Sequence, residues 1–155
     1  MSISDNTINN NIINDTQEWV FEINNDIMDE YAKDYFRIHK RARVHPLKTS
    51  SKIKNVRPVM PSMNQLIVMM RPQFNELKKR WGNFMQWYAK KLGYEGLMLE
   101  NVEVYVEFYF WDRSKHDIAD NYNLKFINDG LTACGFLAGD DNYCLQKAHY
   151  IFRGV

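Results

Sequence analysis

Cysteine is scarce in this chain of 155 residues. Cys134 and Cys144 form no CxxC pair and are too few for a disulfide framework, which points to a reducing compartment. No apolar run reaches the roughly 18 residues that a membrane-spanning helix needs. The amino terminus lacks the basic, apolar and small-residue order of a secretory signal. The expected location is therefore the cytoplasm, with no membrane partner. Histidine is sparse as well. His39, His45, His116 and His149 are scattered and show no zinc-ligand spacing. Phosphate-binding Gly-Lys loops, nucleophile elbows and dinucleotide fingerprints are absent, and so is any internal repeat.

What is present suffices for a folded protein. Apolar residues make up 45% of the chain and aromatics 14%, enough for one real core, and the length fits one domain. The formal charge of +1 conceals an uneven distribution. Between Lys33 and Arg57 the chain carries Arg37, Lys40, Arg41, Arg43, Lys48, Lys52 and Lys54 against a single acid, Asp34. A second basic group follows at Lys78, Lys79, Arg80, Lys90 and Lys91, whereas the acids gather towards the ends. A basic segment beside an acidic cluster suits a protein that holds phosphates and also binds cations.

Residues 1–16 read as a polar leader. The spacing of Trp19, Ile23, Ile27, Tyr31 and Tyr35 predicts a helix over Gln17 to Ile38, packed on the core as an accessory element. His39 to Pro61 is broken by Pro46, Pro58 and Pro61 and reads as a basic arm, either a solvated loop or a DNA contact. A strand is expected to end near Pro58. Phe74, Leu77, Trp81, Phe84, Met85, Tyr88 and Leu92 predict a helix over Pro72 to Leu92, with the aromatic stripe as core and Gly93 as its stop. Asn101 to Trp111 alternates: Val102, Val104, Val106, Phe108 and Phe110 face one way, Glu103, Tyr105, Glu107 and Tyr109 the other. Another helix is expected over Asn121 to Cys134, ended by Gly135, and a last strand over Tyr143 to Arg153.

The acids around the later helix form the candidate site. Asp117 and Asp120 precede it, and Asp140 and Asp141 lie in the turn beyond. Mg²⁺ takes hard oxygen ligands, and two or three carboxylates on one site are typical. Such a site neutralises charge on a phosphodiester and activates water. The same residues also suit capping and turns, Asp120 as an N-cap and Gly-Asp-Asp-Asn as turn sequence. A helix of about fourteen residues is roughly 20 Å long. The two acid groups therefore meet only through a neighbouring strand that runs back, or across a dimer.

The stretch Lys115-His116-Asp117-Ile118-Ala119-Asp120-Asn121-Tyr122-Asn123-Leu124-Lys125, then Asn128 to Phe136, then Asp140-Asp141, resembles the RusA family of Holliday-junction resolvases of phages and prophages. That family has a basic residue before Asp-x-Asp-Asn, a lysine one turn on, a helix ending in Asp-x-Leu and glycine, and an Asp-Asp pair. Pro61-Ser62-Met63-Asn64 is similar to its Pro-Ser-x-Asn segment, which precedes its first helix. The likeness runs from about Pro58 to Phe152. Two features differ from the family pattern. Ile118 and Ala119 both separate the first two aspartates, where the family has one residue, and Gly139 is an extra residue before the acid pair.

The resemblance implies an α/β (α+β) fold, a small mixed sheet packed with helices. The organisation would be a leader (1–16), an N-terminal helix and basic arm (17–57) and an endonuclease domain (58–155). It implies Mg²⁺, with Mn²⁺ as an alternative, held by Asp117, Asp120 and Asp141, with Asp140 as the alternate ligand. Lys125 resembles the catalytic lysine, and Asn121 would support the site. DNA contacts would come from Lys40, Arg41, Arg43, Lys52, Lys54, Asn64, Lys78, Lys79, Arg113, Lys115 and His116. Glu103 and Glu107 are further acids that would face the site from the strand. The expected activity is paired, symmetrical nicking of four-way or other branched DNA by a homodimer, in the cytoplasm of a bacterial or phage-infected cell. Two alternatives stay open: a branched-DNA-binding protein of the same fold that cuts weakly or not at all, and a plain dimeric scaffold.

Overall fold

The computed structural model describes residues 17–38, 56–109 and 124–154. Its elements in chain order are α1 (Asn25–Ile38), α2 (Met63–Val68), α3 (Arg71–Leu92), β1 (Val102–Tyr109), α4 (Lys125–Ala133) and β2 (Leu145–Gly154). Helices and a two-stranded parallel sheet place the chain in the mixed α/β class. The pairing is parallel because the chain between β1 and β2 returns through α4, and parallel strands require such a crossover. The expected mixed sheet is thus, among the described residues, a parallel pair alone.

The long helix α3 organises the core. Trp81, Phe84, Met85, Tyr88 and Ala89 are all buried on it, as the three- and four-residue spacing predicts. Its C-cap is Gly93 at φ +73°, a left-handed conformation that glycine adopts without Cβ strain. Phe126 and Leu131 of α4, Tyr31 of α1, and Cys134, Phe136 and Leu137 complete the same cluster. Gly130 lets α4 approach α3 closely. A Cβ there would lie 2.7 Å from Met85 Cβ and Cγ.

Residues 17–24 are not helical, which corrects the helix expected from Gln17. They form a non-helical segment whose alternate residues Trp19, Phe21 and Ile23 turn to the core. Phe21 meets Phe136, Tyr88 and Tyr94 edge-on, and Trp19 meets Phe136. Apolar residues four apart are compatible with both a helical and a two-residue period. Asn24 starts α1 instead, its Oδ1 accepting from the Ile27 amide at 2.9 Å. The strand expected before Pro58 is likewise absent from the described residues, and Ile53 lies outside them. Trp81 Nε1 ties that segment down by donating to the Val59 carbonyl. The helix α2 opens on a capping box: Ser62 Oγ accepts from the Gln65 amide, and Gln65 Oε1 accepts from the Ser62 amide.

The strands attach to this core by their amino ends. Val102 and Leu145 pack against it. Just upstream, Leu99 pairs with Leu137 in parallel. Further along, Tyr150 and Phe152 are 47% and 51% exposed, so the sheet extends past its cover. No helix among the described residues is long and apolar enough to cross a membrane.

Candidate functional site

Lys125 is the first residue of α4, at the helix's amino end. A cation there is opposed by the helix dipole, so it needs an offsetting charge. Asp129 supplies it from one turn on, with Oδ2 at 3.6 Å from Lys125 Nζ. A second ammonium reaches the same oxygen from α3: Lys78 Nζ stands 2.9 Å from Asp129 Oδ2. The carboxylate is only 13% exposed, while the two lysine side chains are about half exposed, at 49% and 51%. Asp129 Oδ2 has no partner with hydrogen-bond geometry, so the attraction to both lysines is chiefly Coulombic.

Packing fixes this arrangement. On α3, Phe74, Lys78, Trp81 and Met85 follow one stripe. Phe74 meets Phe126 with ring centroids 5.2 Å apart, and the Gly130 Cα faces Met85 and Trp81. Asp129 sits between those two apolar contacts in sequence and so turns its carboxylate towards Lys78. Sequence reasoning named both lysines and overlooked Asp129. The available signal was the Lys125–Asp129 spacing of one helical turn; the contact with Lys78 is long-range and left no local trace.

Asp141 stands in the turn before β2. Its Oδ1 accepts from the amides of Tyr143 at 2.9 Å and Cys144 at 3.1 Å. Its carbonyl accepts from Leu145 at 2.9 Å. These bonds make it a turn former, and the Cys144 thiol is hydrogen-bonded to the same carboxylate. Gly139, the extra residue, gives this turn room: a Cβ there would lie 3.3 Å from Cys144 Sγ and 3.5 Å from Asp141 Oδ2. Asp140 is exposed beside it. Lys125 opens α4 and the Asp141 turn follows its other end, the nine residues of the helix spanning about 13 Å.

Glu103 and Glu107 are on the exposed face of β1, each already paired across to β2. Lys147 Nζ donates to Glu103 Oε1 at 2.7 Å, and Arg153 to Glu107 Oε1 at 2.5 Å. The Lys147 hydrogen bond holds the Glu103 carboxyl below the ordinary carboxylate range, helped by the Tyr105 hydroxyl. Arg153 and then Tyr109 do the same for Glu107. The ring of His149 stacks on Tyr105 at 4.4 Å, beside Glu103. Asn64 and Lys79 are exposed on α2 and α3.

Asp117, Asp120, Asn121, Arg113, Lys115 and His116 lie outside the described residues, as do Lys40, Arg41, Arg43, Lys52 and Lys54. Of the three expected metal ligands, only Asp141 is therefore described. Among the described residues no three His, Cys, Asp or Glu side chains stand together as a metal-holding group. Comparison with family models, with curated proteins and with solved structures finds no match for this chain.

Proposed function

We propose that the chain is a Mg²⁺-dependent endonuclease that nicks four-way or other branched DNA, two copies cutting two strands symmetrically. The observation that carries this reading is the meeting of Lys78 and Lys125 on Asp129, immediately downstream of the Asp117–Asp120–Asn121 sequence. Two half-exposed ammonium groups, one of them four residues after Asn121 in sequence, suit a phosphodiester approached by a cation. Asp117 and Asp120 would hold Mg²⁺, or Mn²⁺ in its place, and Asp141 would be a third ligand, from a segment that returns or from the second copy. The metal would supply charge neutralisation and an acidified water. Lys125 steadies negative charge on the phosphate, and Asn121 supports the acids by hydrogen bonding. The basic residues between Lys33 and Arg57, with Asn64 and Lys79, add contacts along the DNA backbone, so binding weakens steeply with salt.

A second reading has one observation in its favour. The Oδ1 of Asp141 is committed to the turn, which suits a chain that binds branched DNA without cutting it. A strand-labelled four-way junction incubated with Mg²⁺ or with EDTA separates the two. The nuclease reading expects paired nicks in Mg²⁺ alone and none from Asp120→Asn, which still binds. Binding without nicks in either Mg²⁺ or Mn²⁺, or nicks that persist in Asp120→Asn, would overturn it.

A further inference from the structure

We infer that Asp129 is a positioning residue that holds Lys78 and Lys125 together as a two-ammonium clamp for one DNA phosphodiester. The inference rests on the DNA-binding part of the reading above and not on cleavage.

Charge gives the first argument. Two ammonium groups that share one oxygen repel each other, and the carboxylate between them offsets that repulsion. Exposure gives the second. The carboxylate is the shielded member and the lysines are the accessible ones. An incoming anion therefore meets ammonium groups and not the acid. Distance gives the third. Both nitrogens lie within 3.6 Å of a single oxygen, close enough for the two free oxygens of one phosphate to take one each. Rigidity gives the fourth. Lys78 and Asp129 come from helices locked by the Gly130–Met85 approach and the Phe74–Phe126 contact, so the clamp is formed before DNA arrives. A lysine pair on loops would lose far more side-chain freedom on binding.

The test is a double-mutant cycle on binding to a labelled four-way junction in EDTA, where no cleavage intrudes. Lys78→Gln and Lys125→Gln each weaken binding and lower the salt slope, by about one for a single phosphate contact. If both hold one phosphate, the double variant binds at least about threefold tighter than independent losses would give. In an Asp129→Asn background, which keeps the shape of the side chain, that coupling disappears. Independent losses in the wild-type background, or coupling that persists in Asp129→Asn, overturn the clamp. So does a Lys78→Gln variant with an unchanged salt slope. Thermal melting of each variant shows that the fold is intact. A wild-type chain that binds junctions but never cuts them sinks the nuclease reading and leaves the cycle fully interpretable. Where cleavage does occur, Asp129→Asn slows single-turnover nicking although it removes a negative charge next to DNA. An acid without a positioning role would leave nicking unchanged or faster, and that result also overturns the proposal.

Discussion

The Tyr88 hydroxyl grips Glu22 on both sides, donating to its carbonyl oxygen at 2.8 Å and accepting from its amide at 3.1 Å. One phenol thus does for the 17–24 segment what a neighbouring strand would do: it satisfies a backbone donor and acceptor at once. Tyr88→Phe keeps the ring packing and removes both bonds. The expected loss is about 1–3 kcal/mol in urea denaturation. The Glu22 amide should also exchange faster with solvent. A variant with wild-type stability and protection would show that the 17–24 segment is held by its aromatic contacts alone.

Glycine substitutions in two helices should have opposite signs. Gly82, in the middle of α3, has open space where a Cβ would go. Gly82→Ala should stabilise by about 0.5–1 kcal/mol, because alanine loses less chain entropy in a helix. Gly130→Ala meets the wholly buried Met85 at 2.7 Å and should destabilise by about 1–3 kcal/mol. Chemical denaturation of the two variants checks the pair.

Asp141 has two separable roles. Asp141→Ala loses the acceptor for the Tyr143 and Cys144 amides and should destabilise by about 1–3 kcal/mol. Asp141→Asn keeps an oxygen in that position and should melt close to wild type. If the carboxylate also holds a cation, the asparagine variant loses Mg²⁺-dependent nicking while keeping its fold. Full nicking by that variant would confine Asp141 to the turn.

Tyr31 sets an alkaline limit on stability. Burial pushes its phenol from 10.0 up to about 12, with Tyr35 adding to the shift. Below pH 10 the phenol is neutral in both folded and unfolded chains, and its contribution is fully present. Between pH 10 and 12 the unfolded chain ionises first, so that contribution is lost as pH rises. The loss is on the order of 2–3 kcal/mol. Tyr88 shifts in the same direction, again chiefly from burial. Tyr31→Phe should therefore flatten, without abolishing, the alkaline fall in denaturation free energy. An unchanged alkaline limb would contradict the assignment.

Elements with one strong period were legible in the sequence. The alternation from Val102 to Tyr109 and the stripe from Phe74 to Leu92 are such cases, and β1 and α3 follow them closely. Gly93 and Gly135 end their helices with positive φ, as expected. The segment before α1 was misread because a spacing of four residues is a multiple of two. Trp19, Phe21 and Ile23 carry the shorter period, and Asn24 carries the cap. The helix α2 announced itself in Ser62 and Gln65, three residues apart, a capping signal left unused. The Lys78–Asp129 contact was invisible because it depends on how α3 and α4 cross. The acids Asp117 and Asp120 were legible as a motif, but their geometry lies outside the described residues.

The central claim is a carboxylate metal site that includes Asp117 and Asp120. Mn²⁺ titration followed by electron paramagnetic resonance tests it most directly, on the wild-type chain and on Asp117→Asn and Asp120→Asn. The expected result is a saturable site in wild type that either substitution weakens by about tenfold or more, on the order of one lost charged ligand, with Mg²⁺ competing for the same site. Mn²⁺ binding that is absent in wild type, or unaffected by both substitutions, would contradict it.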